Sequence, residues 1–225
     1  LGPGHCFRAW SGARHARLDD WTPPEITTAD LAPLVLELAN WGVSEANALS
    51  WLDPPPMAHW NQARGLLTEL RALDGTGVIT PLGRRMAVYP THPRLAHLLA
   101  AAGDPDDRRQ AADVAAVLSE RDPLPRRGVG ADLERRLAAL RAFRERAPDP
   151  RARDRAALHR VDQVSRQFLK LSDAATGIGE TVAARHTAAD FVALAYPDRV
   201  ALCTSNDGCR YLMRNGRAAR LDEGD

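Results

Sequence analysis

The residues of this chain that could bind a ligand through charge are mostly arginines. Thirteen arginines and seven acidic residues lie between residues 121 and 166, a net charge of +6 in a chain whose net charge is +1. Arg126 and Arg127 stand side by side in an irregular loop there, and guanidinium groups match phosphate in charge and geometry. This window therefore indicates a polyanion partner. A solvated helix face laced with ion pairs such as Asp132–Arg136 explains the composition equally well.

Arginine is favoured throughout the chain, which weakens that indication. Lys170 is the only lysine among the 30 basic residues. Because the bias covers every segment, a GC-rich genome explains it better than selection for phosphate binding. Only the placement of the arginines in the fold can separate the two explanations.

The sequence lacks the motifs that would carry catalysis. It contains no phosphate-binding Gly-x4-Gly-Lys-Ser/Thr loop, no Gly-x-Ser-x-Gly turn and no His-Glu-x-x-His pair. Residues 177–179 have two glycines but neither a preceding strand nor a third glycine, so they are interpreted as a turn. His92 and His97 are five residues apart and fall on different helical faces. We therefore expect no catalysis, metal or cofactor in this chain.

Cysteine usage and hydropathy indicate where the protein works. Cys6, Cys203 and Cys209 cannot all pair within one chain and form no Cys-x-x-Cys motif, so we expect a reducing, cytoplasmic location. No apolar run approaches the roughly 20 residues that cross a bilayer, and no membrane partner is expected. The chain starts at Leu1 without an initiator methionine or a basic leader, so we expect it to be part of a longer polypeptide.

The elements that would position these residues are organised around residues 73–99. A helix ends at Leu73, an Asp-Gly-Thr-Gly turn follows, and a strand at residues 78–80 leads to a helix capped by Thr80, with Pro81 at its first position. These helices, the turn and a strand pair predict a winged-helix module. Apolar residues at helical spacing predict further helices at residues 31–41, 57–73, 93–102, 106–119, 131–146 and 151–171.

Apolar residues near the start of the chain predict core packing. Residues 6–10 have the pattern of a short buried strand. All five tryptophans precede position 61, and we predict that they pack in the core rather than stack on bases, because Trp41 and Trp60 share helical spacing with leucines. Ser44 is predicted to cap a short helix that carries Trp51.

The tail changes from helical to strand patterning. Thr187 is predicted to cap an alanine-rich helix that runs to Tyr196. Residues 199–203 and 210–213 flank a Ser-Asn-Asp-Gly turn, which predicts a β-hairpin. Asn215 and Gly216 would turn a third strand, but the chain ends at Asp225, so we expect a truncated and weakly ordered β-domain. The fold class expected is mainly α: a winged-helix domain, a helical bundle, and a β-hairpin at the C-terminus.

Six segments in register resemble the C-terminal half of bacterial DEAH-box ATP-dependent helicases of the HrpB type. They are LGPGHCFRAW, PPEITTADLAPLVLELANWG, LDPPP, ALDGTGVITPLGRRMAVYPTHPRLAHLL, VLSERDPL, and LAYPDRVAL with YLMRNGRA. Each segment alone is a modest signal, but their order and spacing match over nearly the whole chain.

The resemblance implies four parts. Residues 1–20 would end the second RecA-like motor domain, 21–91 would form the winged-helix domain, 92–185 the helical helicase-associated (ratchet) domain, and 186–225 the start of a truncated OB-like β-domain. The Walker A lysine, DEAH box and arginine fingers of the family would lie upstream. ATP and Mg²⁺ therefore belong to the full-length family, and this portion should not hydrolyse ATP alone.

The resemblance also implies a role for particular residues. In related enzymes these domains close a channel over a single strand, which they hold by its phosphates and by stacking. Arg126, Arg127, Arg210 and Tyr211 are predicted to line that channel. The expected partners are single-stranded nucleic acid, RNA rather than DNA, and the upstream motor domains.

Three further residues, Glu25, Arg84 and Arg85, are predicted to make contacts between domains. One of the two arginines should bridge the winged helix to the ratchet. Two other functions stay open at this point: a winged-helix transcription regulator with a helical effector domain, and a scaffold that binds only protein. A regulator needs a basic, exposed recognition helix, whereas residues 57–73 carry only Arg64 and Arg71.

Overall fold

A computed structural model describes residues 2–19, 21–124, 130–147, 154–175, 185–206 and 208–221. Within them the protein is mainly helical, with a small antiparallel sheet near the C-terminus, as the sequence predicts. The helices are α1 (Gly12–His15), α2 (Ala32–Asn40), α3 (Met57–Glu69), α4 (Pro81–Met86), α5 (Pro93–Ala101), α6 (Pro105–Ser119), α7 (Leu133–Arg144), α8 (Arg155–Ala174) and α9 (Ala188–Ala195). The strands are β1 (Ala201–Cys203), β2 (Arg210–Met213) and β3 (Ala218–Arg220). No helix of the described part is long and apolar enough to cross a bilayer.

The connection between α3 and α4 forms as its sequence predicts. The Asp74 carboxylate accepts hydrogen bonds from the backbone N–H groups of Thr76 (2.8 Å) and Val78 (3.0 Å), which closes the turn. Gly77 supplies the positive φ of 91°. Thr80 caps α4 by accepting from the Gly83 N–H at 3.0 Å. These local bonds orient α4 across the end of α3.

The predicted strand pair of this module is wrong in extent. A single antiparallel bridge, between Leu73 and Ile79, is what forms. One backbone hydrogen bond flanks the bridge on each side, from the Asp74 N–H to the Val78 carbonyl and from the Thr80 N–H to the Ala72 carbonyl, both at 2.9 Å. The pairing ends there because α4 begins at Pro81. The helices therefore dominate this part of the fold.

One hydrophobic core extends from α2 to α9. Its largest fully buried side chains include Trp60 and Leu67 of α3, Leu98 of α5 and Phe191 of α9. The predicted apolar face of α3 is confirmed, because Trp60, Ala63, Leu67 and Leu70 are all buried. The bundle and the α2–α3 pair thus share a core, which holds the surfaces between them in place.

Two predictions for the first residues are wrong. Residues 6–10 are exposed and form no strand, and Phe7 is 92% exposed. A strand needs a partner for its backbone groups, and no described strand pairs with this segment. The polar stretch after it contains α1, which Ser11 caps by accepting from the Arg14 N–H at 3.3 Å.

The tryptophans do not all enter the core. Trp60 is fully buried and Trp51 is half-buried, whereas Trp10, Trp21 and Trp41 are exposed. Trp41 lies ten residues after Leu31, which at about 100° per residue places it about 80° away from that residue on the helix. It is 75% exposed because the apolar stripe has rotated away from the core at this point.

The short turn after α2 also differs from its prediction. Gly42 adopts the expected positive φ of 87°. Ser44, however, caps nothing: the following element is a 3-10 turn, Ala46–Ala48, in which Glu45 occupies the N-cap position without a side-chain bond. The indole of Trp51 stabilises this turn instead, because its N–H donates a hydrogen bond to the Ala46 carbonyl at 2.6 Å.

The C-terminal sheet has the order β1-β2-β3, with both pairs antiparallel. The predicted hairpin is confirmed, and a third strand follows the turn at Gly216, whose φ is 81°. Leu202, Leu212 and Ala218 are aligned across the three strands. Thr187 caps α9 as predicted, in a capping box with Asp190, and so fixes where the chain leaves the bundle for the sheet.

Candidate nucleic-acid interface

The sheet positions Arg210 and Tyr211, two of the residues predicted to contact nucleic acid. Arg210 is the first residue of β2 and faces Arg220 of β3, whereas Tyr211 faces Ala219 and Cys203. Successive strand residues point to opposite faces of a sheet, so the guanidinium and the ring lie on different faces. The structure therefore does not bring this predicted pair together on one surface.

The two faces of the sheet differ in exposure. Arg210 and Arg220 share a face with Leu202 and Leu212, and all four are exposed. Tyr211 lies on the half-buried face. The exposed face thus combines positive charge with aliphatic side chains, a surface on which a polyanion with apolar parts can lie.

Arg94 of α5 makes hydrogen bonds to the segment that leads into the sheet. Its two terminal nitrogens donate to the Asp198 carboxylate at 2.6 and 3.2 Å, and one of them also donates to the Ala195 carbonyl at 3.1 Å. The Tyr196 ring lies 5.1 Å from the Arg94 guanidinium and 5.0 Å from that of Arg199. Hydrogen bonding from Arg94 lowers the pKa of the Asp198 carboxyl. A charged, bidentate pair therefore connects α5 to the segment that enters β1.

A second contact ties the sheet to α3. The Arg214 N–H donates to the Val200 carbonyl at 2.8 Å, and its guanidinium lies 3.7 Å from the Glu69 carboxylate at the end of α3. Arg214 is largely exposed, so this ion pair contributes little to stability.

A basic groove lies between α3–α4 and α9, with a volume of about 930 Å³. Its lining, which defines the groove below, consists of Glu69, Arg71, Leu82, Arg85, His97, Ala101, Arg185, His186, Asp190, Ala193, Leu194, Pro197 and Arg214. Four of these residues are arginines and two are acidic. This site has no local sequence signal, since its arginines come from three distant parts of the chain and carry no shared motif.

His97 does not add charge to the groove. Its Nδ1 lies 2.8 Å from the Leu194 carbonyl oxygen, and the ring is largely enclosed. Burial lowers the pKa of His97, and the nearby positive charge of Arg71 lowers it further. The imidazole is therefore neutral at pH 7 and bonds α5 to α9.

The predicted interdomain residues occupy different environments. Glu25 lies exposed in a 3-10 turn, Glu25–Thr27, and Arg84 is exposed on α4. Arg85 turns inward, is 9% exposed and lines the groove. Beside it the Tyr89 hydroxyl donates to the Ser172 hydroxyl of α8 at 3.1 Å, and burial raises the pKa of Tyr89. The winged-helix module therefore contacts the helical bundle on the side of α4 that carries Arg85.

The basic window is largely neutralised where the structure describes it. Ion pairs within 4.0 Å join Arg135 to Asp132, Arg136 to Asp122, Arg141 to Glu134, Arg144 to Asp113 and Asp162, Arg160 to Glu120, and Arg166 to Asp162. These contacts favour the ion-paired helix explanation for the described part of the window. Arg126 and Arg127 lie outside the described residues, so their prediction rests on sequence alone.

Asp122 anchors a turn, as its sequence context indicates. Its carboxylate accepts from the Leu124 N–H at 3.0 Å and from Arg136 at 2.6 Å. The suggested Asp132–Arg136 side-chain pair is therefore wrong. Asp132 instead caps α7 by accepting from the Glu134 N–H at 2.9 Å, because a side chain at the N-cap reaches the first free N–H groups.

No cluster of three or more His, Cys, Asp or Glu residues in the described ranges has the geometry of a metal site. The three cysteines form no disulfide.

This chain resembles known proteins in sequence. Residues 63–91 match the family described as Helicase associated domain (HA2), winged-helix. The chain is 31% identical over 225 residues, its full length, to the ATP-dependent RNA helicase HrpB of Escherichia coli K12, and covers 24% of that protein. It is 35% identical over 99 residues, 44% of this chain and 8% of the relative, to the pre-mRNA-splicing factor ATP-dependent RNA helicase prp22 of Schizosaccharomyces pombe.

Solved structures of HrpB resemble this chain in fold. A crystal structure of the E. coli DExH-box NTPase HrpB superposes with a TM-score of 0.69 and 30% identity over 96% of this chain and 23% of that one. A crystal structure of the Escherichia coli DEAH/RHA helicase HrpB gives 0.68 and 32%, over 96% of this chain and 24% of that one. The chain thus spans about a quarter of the length of these relatives.

Proposed function

Because this chain belongs to the HrpB-like DEAH-box helicases and corresponds to their C-terminal region, we propose that it guides single-stranded nucleic acid for an ATP-driven motor. The observation that carries the proposal is the similarity to HrpB along the whole chain, in sequence and in fold. RecA-like motor domains upstream on the same polypeptide would bind ATP and Mg²⁺ and hydrolyse the nucleotide. This portion would hold the strand while the motor moves it.

The surfaces described above support that role. Single strands are held by cations along their phosphates and by flat or apolar surfaces under their bases. The exposed face of the sheet offers both, with Arg210 and Arg220 beside Leu202 and Leu212. Single-stranded RNA is the substrate that we propose, in the cytoplasm, a reducing compartment in which cysteines remain thiols.

Arg210, Arg126 and Arg127 remain candidates for contact with the strand. Arg210 is supported by its exposure on the basic face of the sheet, while Arg126 and Arg127 are supported by the sequence of their loop. Tyr211 lies on the half-buried face and would contribute stacking only through its exposed edge. We rank Arg210 first because an exposed guanidinium reaches a phosphate without rearrangement.

The transcription-regulator alternative has less support. A recognition helix must present unengaged basic side chains to a DNA groove. On α3, Arg64 is paired with Glu45 at 2.9 Å, and Trp60, Ala63 and Leu67 are buried. The helix therefore serves packing, and the known proteins reported above that resemble this chain are helicases.

Fluorescence anisotropy on the full 225-residue chain tests the proposal. We expect a labelled 15-nucleotide single-stranded RNA to bind more tightly than a duplex DNA of equal length, with affinity falling as KCl is raised. An Arg210→Gln substitution should reduce the slope of log K against log salt by about 0.7, the value for one lost contact to a single strand. Arg109→Gln, on an exposed part of α6, is the matched control.

Two outcomes would count against this function. Tighter binding of duplex DNA would favour the regulator. No salt-dependent binding of single strands would favour a scaffold that binds only protein. The pair Arg126→Ala and Arg127→Ala is tested in the same way, and an unchanged salt slope would remove those two residues from the interface.

A further inference from the structure

We propose that the basic groove between α3–α4 and α9 is a second contact surface for single-stranded RNA, which it holds by the phosphate backbone. The inference rests on the proposed function and adds a site that the sequence did not predict. It concerns Arg71 and Arg214 above all, with Arg185 also in the lining.

The charge of the groove favours a polyanion. Its four arginines outnumber its two acidic residues, so their side chains leave the lining with an excess of positive charge. Asp190 already accepts from the Thr187 N–H at 2.8 Å in the cap of α9. Glu69 faces Arg214 at 3.7 Å, but this pair is long and Arg214 is largely exposed, so its guanidinium stays accessible to a phosphate. Within the described residues, no carboxylate lies within 4.0 Å of the Arg71 or Arg185 guanidinium. Phosphate is the anion that would satisfy them.

Arg71 holds an unfavourable backbone conformation at the groove. Its φ is +55°, directly after the end of α3, where the Ala72 N–H donates back to the Leu67 carbonyl at 2.8 Å. This position of a helix C-terminus is normally glycine, because a side chain costs of the order of 1 kcal/mol there. Arg146 has the same conformation away from the groove, so the positive φ serves as the basis of a matched control and not as evidence for a ligand.

The other walls suit the remaining parts of a nucleotide. Leu82, Leu194 and Pro197 are half-buried and line the groove with apolar surface. Ribose and base faces can lie against such surface while the phosphates meet the arginines. The site would therefore accept a strand without reading its base edges.

The groove also adjoins the exposed face of the sheet through one strand. Arg210 begins β2 and Arg214 directly follows it, which places their Cα atoms about 13 Å apart at 3.3 Å per residue. Basic residues of the groove and of the sheet thus lie within a few nucleotides of each other. A single strand could contact both surfaces at once.

The chain contains a matched pair for testing this inference. Arg146, at the end of α7, has the same positive φ, 57°, in the same position after its helix, but it does not line the groove. Arg71→Gly and Arg146→Gly both remove a guanidinium and both relieve backbone strain. Neither variant should unfold the protein, and thermal melting verifies this for each.

Anisotropy titrations with the single-stranded RNA, from 50 to 200 mM KCl, distinguish the variants. We expect Arg71→Gly to weaken binding about threefold to tenfold at low salt and to lower the salt slope by about 0.7. Arg146→Gly should leave affinity and slope as in the parent chain. Arg214→Gln is a second groove variant, and it should behave like Arg71→Gly.

The outcomes separate this inference from the proposed function. If the parent chain binds single-stranded RNA but Arg71→Gly and Arg214→Gln bind as tightly as Arg146→Gly, the groove is not a contact surface and the function stands. If the parent chain binds no single strand, the proposed function fails first. If a polyglutamate peptide binds and the RNA does not, the groove recognises an acidic protein segment and the inference is overturned.

Discussion

Replacement of Asp198 by asparagine should loosen the sheet from the helical bundle. The substitution removes the charge that receives both nitrogens of Arg94, at 2.6 and 3.2 Å, and leaves the volume nearly unchanged. Arg94 is 14% exposed and Asp198 23%, so the bond is made with little water around it. Arg94 retains its bond to the Ala195 carbonyl and its contact with the Tyr196 ring, so it is not left wholly unpaired.

The magnitude follows from these contacts. Hydrogen bonds to charged groups contribute about 1.5–3 kcal/mol each, and breaking a fully buried ion pair costs about 3–5 kcal/mol. Partial exposure screens the Asp198 charge, and Arg94 keeps two of its contacts. We therefore expect the free energy of unfolding to fall by about 1–2 kcal/mol.

The loss should depend on pH. The pKa of Asp198 is lowered in the folded protein, chiefly by the Arg94 hydrogen bonds, from an ordinary value near 3.8. A carboxyl group with a lowered folded pKa contributes stability above its unfolded pKa, and that contribution disappears as pH falls through the folded value. The difference between parent and Asp198→Asn should thus stay constant from pH 7 to about pH 5 and shrink below about pH 4.

Urea unfolding followed by circular dichroism measures the overall change, and hydrogen exchange of the β1–β3 amides locates it. Glu45→Gln is the control, because the Glu45–Arg64 pair at 2.9 Å is more exposed and should contribute less than about 0.5 kcal/mol. Equal losses in the two variants, or a loss at Asp198 that persists unchanged at pH 3, would refute the reasoning.

Two further pairs of substitutions test packing and the charge network of the bundle. Gly83→Ala should lower the free energy of unfolding by about 1–3 kcal/mol, because the new Cβ would overlap the Ala72 carbonyl oxygen. Gly65→Ala, with open space around it in α3, should raise the free energy of unfolding by about 0.5–1 kcal/mol. Equal melting temperatures for the two variants would contradict this expectation. Arg144→Met should lower the free energy of unfolding by about 2–4 kcal/mol. The Arg144 guanidinium lies 2.7 Å from the carboxylate of Asp113 in α6 and 2.7 Å from that of Asp162 in α8, and the substitution removes this shared cation. Arg141→Met, at an exposed 3.8 Å pair, should change the urea midpoint little, and a similar loss in both would mean that burial does not matter here.

Local features of the fold could be predicted from the residues. Asp74, Thr80 and Thr187 form the turn and the caps that their positions indicate, because a side chain and the N–H groups two to four residues away meet in any chain of that local shape. The apolar spacing of α3 likewise predicts its buried face. Predictions failed where the same residues had two possible surroundings, as for Trp41 and for residues 6–10.

The candidate interface was predictable only in part. Arg210 was named from the sequence and is exposed on the sheet, but its separation from Tyr211 follows from strand alternation, which becomes definite only once the register is known. The groove had no local signal. Its one sequence anomaly, an arginine in place of glycine after α3, is visible only when the end of that helix is known.

The sequence by itself determined the helices, their caps, the hairpin turn and the family resemblance, because all of these depend on residues close together in the chain. Tertiary structure alone decided that Arg71 and Arg214 share a groove and that Arg94 donates hydrogen bonds to Asp198. These partners are separated by more than a hundred residues, so their meeting depends on the path of the whole chain and on the common core that fixes α3, α5 and α9 against one another.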